Sequence, residues 1–368
     1  MAGHVAFLLP NMGAGGAERL TIDLMAGFIA RDVRVDLVLL ARAGAFLSLV
    51  PEGVRVIDLA APRLRHAFLP LRRYLRREKP DALVAAMWPL TSVAVAAAAG
   101  LHKRPRVIIS DHCPLKQQYA HKLRGLRLSM RATYRYADAV VGVSDGLSEE
   151  LADLAGINRA RVTTIANPVP VPLTSGIDPQ SLWQGRPGKR LISVGTLKPE
   201  KNHALLIDAF ALLVRDQDAV LAIVGEGTTR GQLEAQVARL GLSDRVLLPG
   251  YTATPGDWYA GADLFVLSSD YEGFGNVMVE AMHFGLTAVA TDCPYGPADV
   301  LGADVLGASG LTDGRWGVLV PCGDAAALAE AMKTALPNPL DPASQRTRAS
   351  HYSLERAVEA YWRLMAQP

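Results

Sequence analysis

The sequence predicts an α/β protein built from two doubly wound, parallel-sheet domains. Three observations predict it. Short apolar runs alternate with helical patterns in both halves of the 368-residue chain, as parallel strands joined by crossover helices require. Proline at alternate positions in Asn167-Pro-Val-Pro-Val-Pro172, then polar Gly- and Pro-containing sequence to Lys189, separates the halves, because proline continues neither a helix nor a central strand. The halves also differ in charge: residues 1–166 carry 23 Lys and Arg against 14 Asp and Glu, and residues 167–368 carry 15 against 22. A chain of this length exceeds the usual single domain, and a hydrophobic content of 50% suffices for two cores. The domains are expected at 1–168 and 190–352, with a linker at 169–189. A last helix, about 353–366, could pack back on either half, the first half being the candidate.

In the first half strands are expected at 4–9, 33–40, 54–59, 81–87, 106–111, 139–144 and 161–166, with helices at 17–30, 66–78, 117–137 and 145–155. The second half repeats the scheme: strands at 190–195, 219–224, 246–249, 264–269, 287–291 and 317–320, helices at 201–216, 228–240, 275–285 and 324–335. His4-Val-Ala-Phe-Leu-Leu9 has no basic segment before it and reads as a fold-opening strand, not a signal peptide. The uncharged stretch from Ala82 to Leu101 has the ~20 residues that a membrane span needs. Its Trp88-Pro89 and its strand-then-helix pattern point to buried elements instead. Cys113, Cys293 and Cys322 lie far apart with no metal-ligand spacing, which suits a reduced, cytosolic protein.

Ligands of doubly wound sheets bind outside the carboxyl ends of the strands, so motifs that directly follow strands are the candidates. The first, Asn11-Met-Gly-Ala-Gly-Gly-Ala-Glu-Arg19, follows strand 4–9 and opens a helix. Its spacing fails the dinucleotide pattern, since Glu18 stands where the third glycine belongs. Its backbone amides can approach a phosphate or an acceptor, or it is a plain tight turn. The second, Ser110-Asp111-His112-Cys113, ends strand 106–111 and reads as a buried structural pair or as a reactive histidine; no G-x-S-x-G elbow accompanies it. The third, Gly195-Thr-Leu-Lys-Pro-Glu-Lys-Asn202, sets Lys198 and Lys201 beside a helix start, a fit for a diphosphate. The fourth is Gly225-Glu226-Gly227, with Leu248-Pro-Gly250-Tyr251 after the next strand. The fifth is Glu272-Gly273-Phe274-Gly275-Asn276-Val277-Met278-Val279-Glu280, where two carboxylates flank a glycine turn into a helix, suiting a phosphorylated sugar. Asp216-Gln-Asp218 sits at a helix end and reads as a solvated turn; no Asp-x-Asp metal motif is present elsewhere.

This set, in this order, resembles the retaining glycosyltransferases of the GT4 family, through Gly16-Ala17-Glu18-Arg19, Asp111-His112, Gly195 to Lys201, Gly225-Glu226-Gly227 and above all Glu272-x7-Glu280. The resemblance covers nearly the whole chain. It implies the GT-B architecture, two facing Rossmann-like domains with an interdomain cleft. It implies that His112, Glu272 and Lys201 serve catalysis: His112 and Glu272 on the donor sugar, Lys201 on the departing diphosphate. It also implies a binding role for Gly15, Gly16, Glu18, Arg19, Gly195, Gly225, Glu226, Gly227 and Tyr251. Further, Phe274, Gly275 and Asn276 would hold sugar hydroxyls through backbone amides, with Val277 near the diphosphate and Glu280 on the ribose. The family usually carries arginine where this chain has Thr196, and Lys198 is the candidate replacement.

The expected reaction moves a hexose or N-acetylhexosamine from a nucleoside diphosphate sugar, UDP before GDP or ADP, with retention and without a metal or other cofactor. Basic clusters at Arg63-Leu-Arg65-His66, at Arg72 to Lys79 and from Lys116 to Arg135 read as solvated helix faces or as a surface for anionic membranes. The second reading suits a saccharide or polyprenyl-diphosphate-linked acceptor at the cytoplasmic face of the inner membrane. Nucleic acid is not an expected partner, because net charge is only +2 and no recognition module appears. An epimerase or hydrolase of the same architecture, or a catalytically idle sugar-nucleotide scaffold, are the alternatives.

Overall fold

The computed structural model describes residues 3–13, 15–61, 63–302 and 312–366, so Ala14 of the first glycine loop lies outside the described residues. The chain divides into two compact units, Met1–Pro168 with Ser353–Pro368, and Val169–Tyr352.

The first unit holds seven strands: β1 (His4–Leu9), β2 (Arg34–Leu39), β3 (Arg55–Asp58), β4 (Ala82–Ala86), β5 (Arg106–Asp111), β6 (Ala139–Gly142) and β7 (Val162–Thr164). Their order is β3-β2-β1-β4-β5-β6-β7, and every neighbouring pair is parallel. β1 and β4 are buried without interruption, and apolar apart from His4, because helices cover both faces of such a sheet. Strand order reverses between β1 and β4, the place where a doubly wound sheet opens a ligand crevice. The stretch expected as one helix over 117–137 is broken into Leu115–Gln118, two 3-10 turns and Leu123–Thr133. Tyr119 leaves the helical conformation there, packing edge-on against Trp88 at 4.7 Å and donating to its carbonyl at 3.1 Å.

The second unit holds β8 (Lys189–Val194), β9 (Ala219–Val224), β10 (Val246–Gly250), β11 (Leu264–Leu267), β12 (Thr287–Thr291), β13 (Thr312–Gly314) and β14 (Gly317–Val320). The order is β10-β9-β8-β11-β12-β14-β13, parallel except for β13, an antiparallel edge strand absent from the sequence reading. The reversal here falls between β8 and β11. The helix expected from 201 begins at His203, because Asn202 adopts φ 44° and its side chain accepts from the Leu205 amide at 3.2 Å.

Residues 169–189, expected as a linker, belong to the second unit. Trp183 there is fully buried and meets Trp258 edge-on at 5.6 Å, while Ser175 donates to the Asp257 carboxylate. The last helix, Leu354–Ala366, packs on the first unit, where Val358 lies against Gly27 and Val358, Tyr361 and Leu364 join the core of β1 and β2. Among the described residues no helix is long and apolar enough to cross a membrane.

Candidate active site

In the second unit the loops that leave β8 and β11 at the strand-order reversal meet side chain to side chain. Lys201, closing the 3-10 turn Pro199–Lys201, places Nζ 2.5 Å from Glu272 Oε1. The same oxygen accepts from Ser269 Oγ at 2.7 Å, and Thr291 Oγ1 ties the Ser269 carbonyl at 2.6 Å. The lysine is fixed as well: its own carbonyl accepts from Ser268 Oγ at 3.0 Å, and Asn202 donates to Asp270 at 2.8 Å. Two residues 71 positions apart are thus clamped by the ends of adjacent strands, as a site that must present charge in a set geometry requires.

The backbone around Lys201 is stitched to the next loops. The Gly195 amide donates to Val224, the Leu197 amide to Glu226 and the Gly225 amide to Gly250, all within 3.0 Å. Gly225 has φ +148°, and a Cβ there would strike the Gly195 carbonyl, so only glycine fits. Thr196 is exposed, and so is Lys198, whose amide donates to the Thr196 carbonyl; no side-chain contact of Lys198 is seen among the described residues. The Glu226 carboxylate turns to Arg230 at 2.8 Å, and Tyr251 stands 78% exposed beyond β10.

Helix Asn276–His283 starts at Gly275, whose φ of +88° suits glycine, and no side chain caps that end. The amides at Asn276 and Val277 open the helix, and its first turn carries no acidic residue of its own against the positive dipole end. Phe274 is buried edge-on against Tyr352 at 5.2 Å, so its side chain anchors the turn. Glu280 accepts from Tyr259 at 3.0 Å; burial and the Glu280 charge push the Tyr259 hydroxyl well above its ordinary pKa, so this donor keeps its proton. Glu272 and Glu280 consequently have different partners, one cationic and one phenolic.

In the first unit the helix Gly16–Ile29 opens at Gly15, and the Glu18 carboxylate folds back over Gly13 and Gly15. Glu18 is buried, whereas Arg19 points outward to Asp23 at 3.4 Å. A carboxylate already lies at this helix start, which favours a hydroxyl-bearing ligand there over a phosphate. Asp111 and His112 do not pair with each other. Asp111 accepts from Tyr134 at 2.7 Å and from the Trp88 amide at 2.8 Å, and burial pushes its carboxyl up to about 6. His112 meets Ser110 Oγ through Nε2 at 2.5 Å; burial pushes its pKa down to about 4, opposed by the Asn167 side chain, so the ring is neutral. Asp216 and Asp218 are exposed and pair with Lys333 at 2.7 Å and Arg245 at 2.6 Å.

The structure therefore brings together Lys201 with Glu272, and the glycine loops at 195, 225 and 227, while Glu226, Lys198 and Tyr251 stay apart from that pair. Sequence reading missed Ser269, Tyr259 and Ser110, the side chains that hold Glu272, Glu280 and His112. Only Ser110 had a signal, its place two residues before a strand-end histidine.

Residues 180–355 match the model of glycosyl transferases group 1, and residues 14–171 match that of glycosyltransferase family 4. The chain is 28% identical over 363 residues, 96% of each chain, to the lipopolysaccharide core biosynthesis glycosyltransferase LpsE of Rhizobium meliloti. It is 33% identical over 175 residues, 47% of each chain, to a Campylobacter jejuni enzyme named N-acetylgalactosamine-N,N'-diacetylbacillosaminyl-diphospho-undecaprenol 4-alpha-N-acetylgalactosaminyltransferase. The structure of Anabaena HepE in complex with UDP and glucose superposes with a TM-score of 0.76 at 22% identity, covering 98% of each chain, a likeness of fold. The two family models follow one another along the chain, one over each doubly wound unit, and the motif residues stand at strand ends. The chain belongs to the family 4 glycosyltransferases and has the GT-B fold.

Proposed function

We propose that this glycosyltransferase moves a hexose or N-acetylhexosamine from a UDP-sugar, with retention, to a hydroxyl of a lipid-linked saccharide in polysaccharide or lipopolysaccharide assembly. The observation that carries the reading is the Lys201–Glu272 pair, 2.5 Å apart at the strand-order reversal of the second unit. Breaking the bond from anomeric carbon to phosphate leaves negative charge on the diphosphate, the largest electrostatic demand of the reaction. Lys201 and the uncapped start of helix Asn276–His283 meet that charge, and Glu272, released from the lysine, accepts from a sugar hydroxyl. Glu280 holds the ribose, and Tyr251 and the Gly225-Glu226-Gly227 turn lie toward the base. His112 serves as a neutral hydrogen-bonding group for the sugar.

The acceptor oxygen attacks from the face that the diphosphate leaves, and its proton passes to a donor phosphate oxygen. This accounts for retention without a protein nucleophile and differs from the two-carboxylate scheme of glycoside hydrolases. The UDP of the HepE complex and the undecaprenol-linked substrate in the Campylobacter enzyme's name support the donor and acceptor classes. Exposed Phe68, Leu69 and Leu128, at 38%, 59% and 74%, sit on helices rich in arginine, which supports peripheral contact with anionic lipid at the cytoplasmic face of a membrane.

The test is a thermal-shift panel of nucleoside diphosphate sugars, then transfer with the best donor and an NMR assignment of the product anomer. Stabilisation by UDP-sugars and a retained anomer are expected; an inverted anomer overturns the mechanism. Donor turnover without acceptor would mark a hydrolase or epimerase instead.

A further inference from the structure

Helices Phe68–Glu78 and Leu90–Ala98 pack together in the first unit and lead into β4 and β5. Between the end of one and the loop after the other lies a pocket of about 420 Å³, the size of a small-molecule site. Arg72, Arg76, Lys79, His102 and Lys103 line it, and among the described residues no carboxylate does. Arg72 and Arg76 stand one turn apart on one helix face, and Lys79 closes that helix with φ 50°. The pocket lies at the edge of the sheet where β4 and β5 begin. His112 follows the opposite end of β5, whose six residues at roughly 3.3 Å each span about 20 Å. The pocket therefore stands apart from the motifs at the carboxyl ends of the strands.

Cations at helix ends ordinarily answer the last carbonyls. Arg72 does so: its Nη1 donates to the carbonyls of Ala97 at 3.0 Å and Ala99 at 2.7 Å, which ties the two helices together and fixes that wall. Arg76, Lys79, His102 and Lys103 are exposed and, among the described residues, make no side-chain hydrogen bond or ion pair. The carboxylates near them in sequence are taken elsewhere. Glu78 pairs with Arg34, Arg55 and Arg77, Asp81 accepts from the Gly3 and His4 amides, and Asp138 pairs with Arg104. Three cations and an imidazole thus face one hollow without a counter-charge, a repulsion that an anion of more than one charge relieves. Arginine and lysine together suit phosphate, whose oxygens accept several charge-assisted bonds at once.

We propose that this pocket is a second anion site, separate from the Lys201–Glu272 site, and that it takes the phosphate group of a phosphoester. A soluble phosphorylated compound and a phospholipid headgroup present the same chemistry to it, and the experiment separates them. The full chain is labelled with ¹³C-histidine, and the ring signal of His102 is assigned by its loss in His102→Gln. Inorganic phosphate is then titrated at fixed pH, with ionic strength held constant by sodium chloride. A saturable shift of the His102 signal is expected, weakened roughly tenfold or more in the double variant Arg76→Gln, Lys103→Gln, the scale of a lost charge-assisted hydrogen bond. Both substituted side chains are exposed, so the variant keeps its fold. A response that does not saturate, or one equally strong in the double variant, marks a solvated basic face and overturns the proposal. The signal belongs to the pocket alone, so the result stands whether or not the chain transfers a sugar. Sedimentation with phosphatidylcholine vesicles that contain phosphatidic acid then names the source. Vesicle binding by the native chain that the double variant loses assigns the headgroup. Equal sedimentation of both proteins, or of neither, beside a weakened phosphate response assigns a soluble phosphoester.

Discussion

Lys201 carries the sharpest prediction at the scale of single residues. Its ammonium is held 2.5 Å from Glu272 by bonds to its own carbonyl and to the neighbouring Asn202, so it is placed before any ligand arrives. Lys201→Ala should lower kcat by about 100-fold or more, as loss of one preorganised stabilising group does, with the unfolding midpoint little changed. Steady-state transfer assays and a urea titration check both halves of that statement. Glu280→Gln keeps shape but weakens the acceptor of Tyr259, so KM for the donor should rise more than kcat falls. Lys201, Glu272 and Glu280 were readable from the sequence, since charged residues beside glycine turns at strand ends announce themselves. Ser269 and Tyr259 were not, because a lone serine in a strand end or a tyrosine in a six-residue helix has no pattern until the fold brings it to a carboxylate.

Among elements, the strands were read well and the short helices poorly, for one physical reason. A buried parallel strand such as β9, Ala219–Val224, is apolar throughout and stands out over six residues. Helices Pro255–Ala260, Gly296–Leu301 and Pro342–Ser350 offer too few turns to show a repeat of apolar positions. Each has proline in its first turn, the one cue that was available. The loops between elements hold the site, and Gly225 is where they are tightest. Gly225→Ala would set a side chain at φ +148° against the Gly195 carbonyl. We expect a loss on the order of 2 kcal/mol or more in urea unfolding, together with weakened UDP stabilisation, because the Gly195 loop, proposed above to face the diphosphate, must shift. Gly231, with nothing near its Cβ, is the control and should tolerate alanine.

Across the whole molecule, buried ionisable groups set the response to pH. His203 is 4% exposed and burial pushes its pKa down to about 4; His112 is held near the same value. Unfolded histidine takes its proton near pH 6.5, so the unfolded chain binds protons first as pH falls. Stability should therefore be complete above pH 6.5 and decline down to about pH 4, with His203 contributing up to about 3 kcal/mol of that loss. Asp111 acts in the opposite sense: its raised carboxyl regains a proton near pH 6 in the folded state, which adds stability between pH 6 and 4. Urea unfolding across that range should show a shallower decline in His203→Gln than in the native protein. The two-unit division was foreseen from strand–helix alternation and the proline run. The last helix had the first half as its candidate home, but its apolar stripe fits any uncovered face; Val358 against Gly27 decides it.

That return of Leu354–Ala366 to the first unit bears on how the protein is made. A ribosome delivers β1 to β7 long before the residues that roof the helix Gly16–Ile29, and the whole of the second unit emerges in between. During translation Phe28 and its neighbours remain without the cover that Val358 and Trp362 later supply. Nascent chains halted after residue 168 should consequently bind chaperones more readily than finished ones.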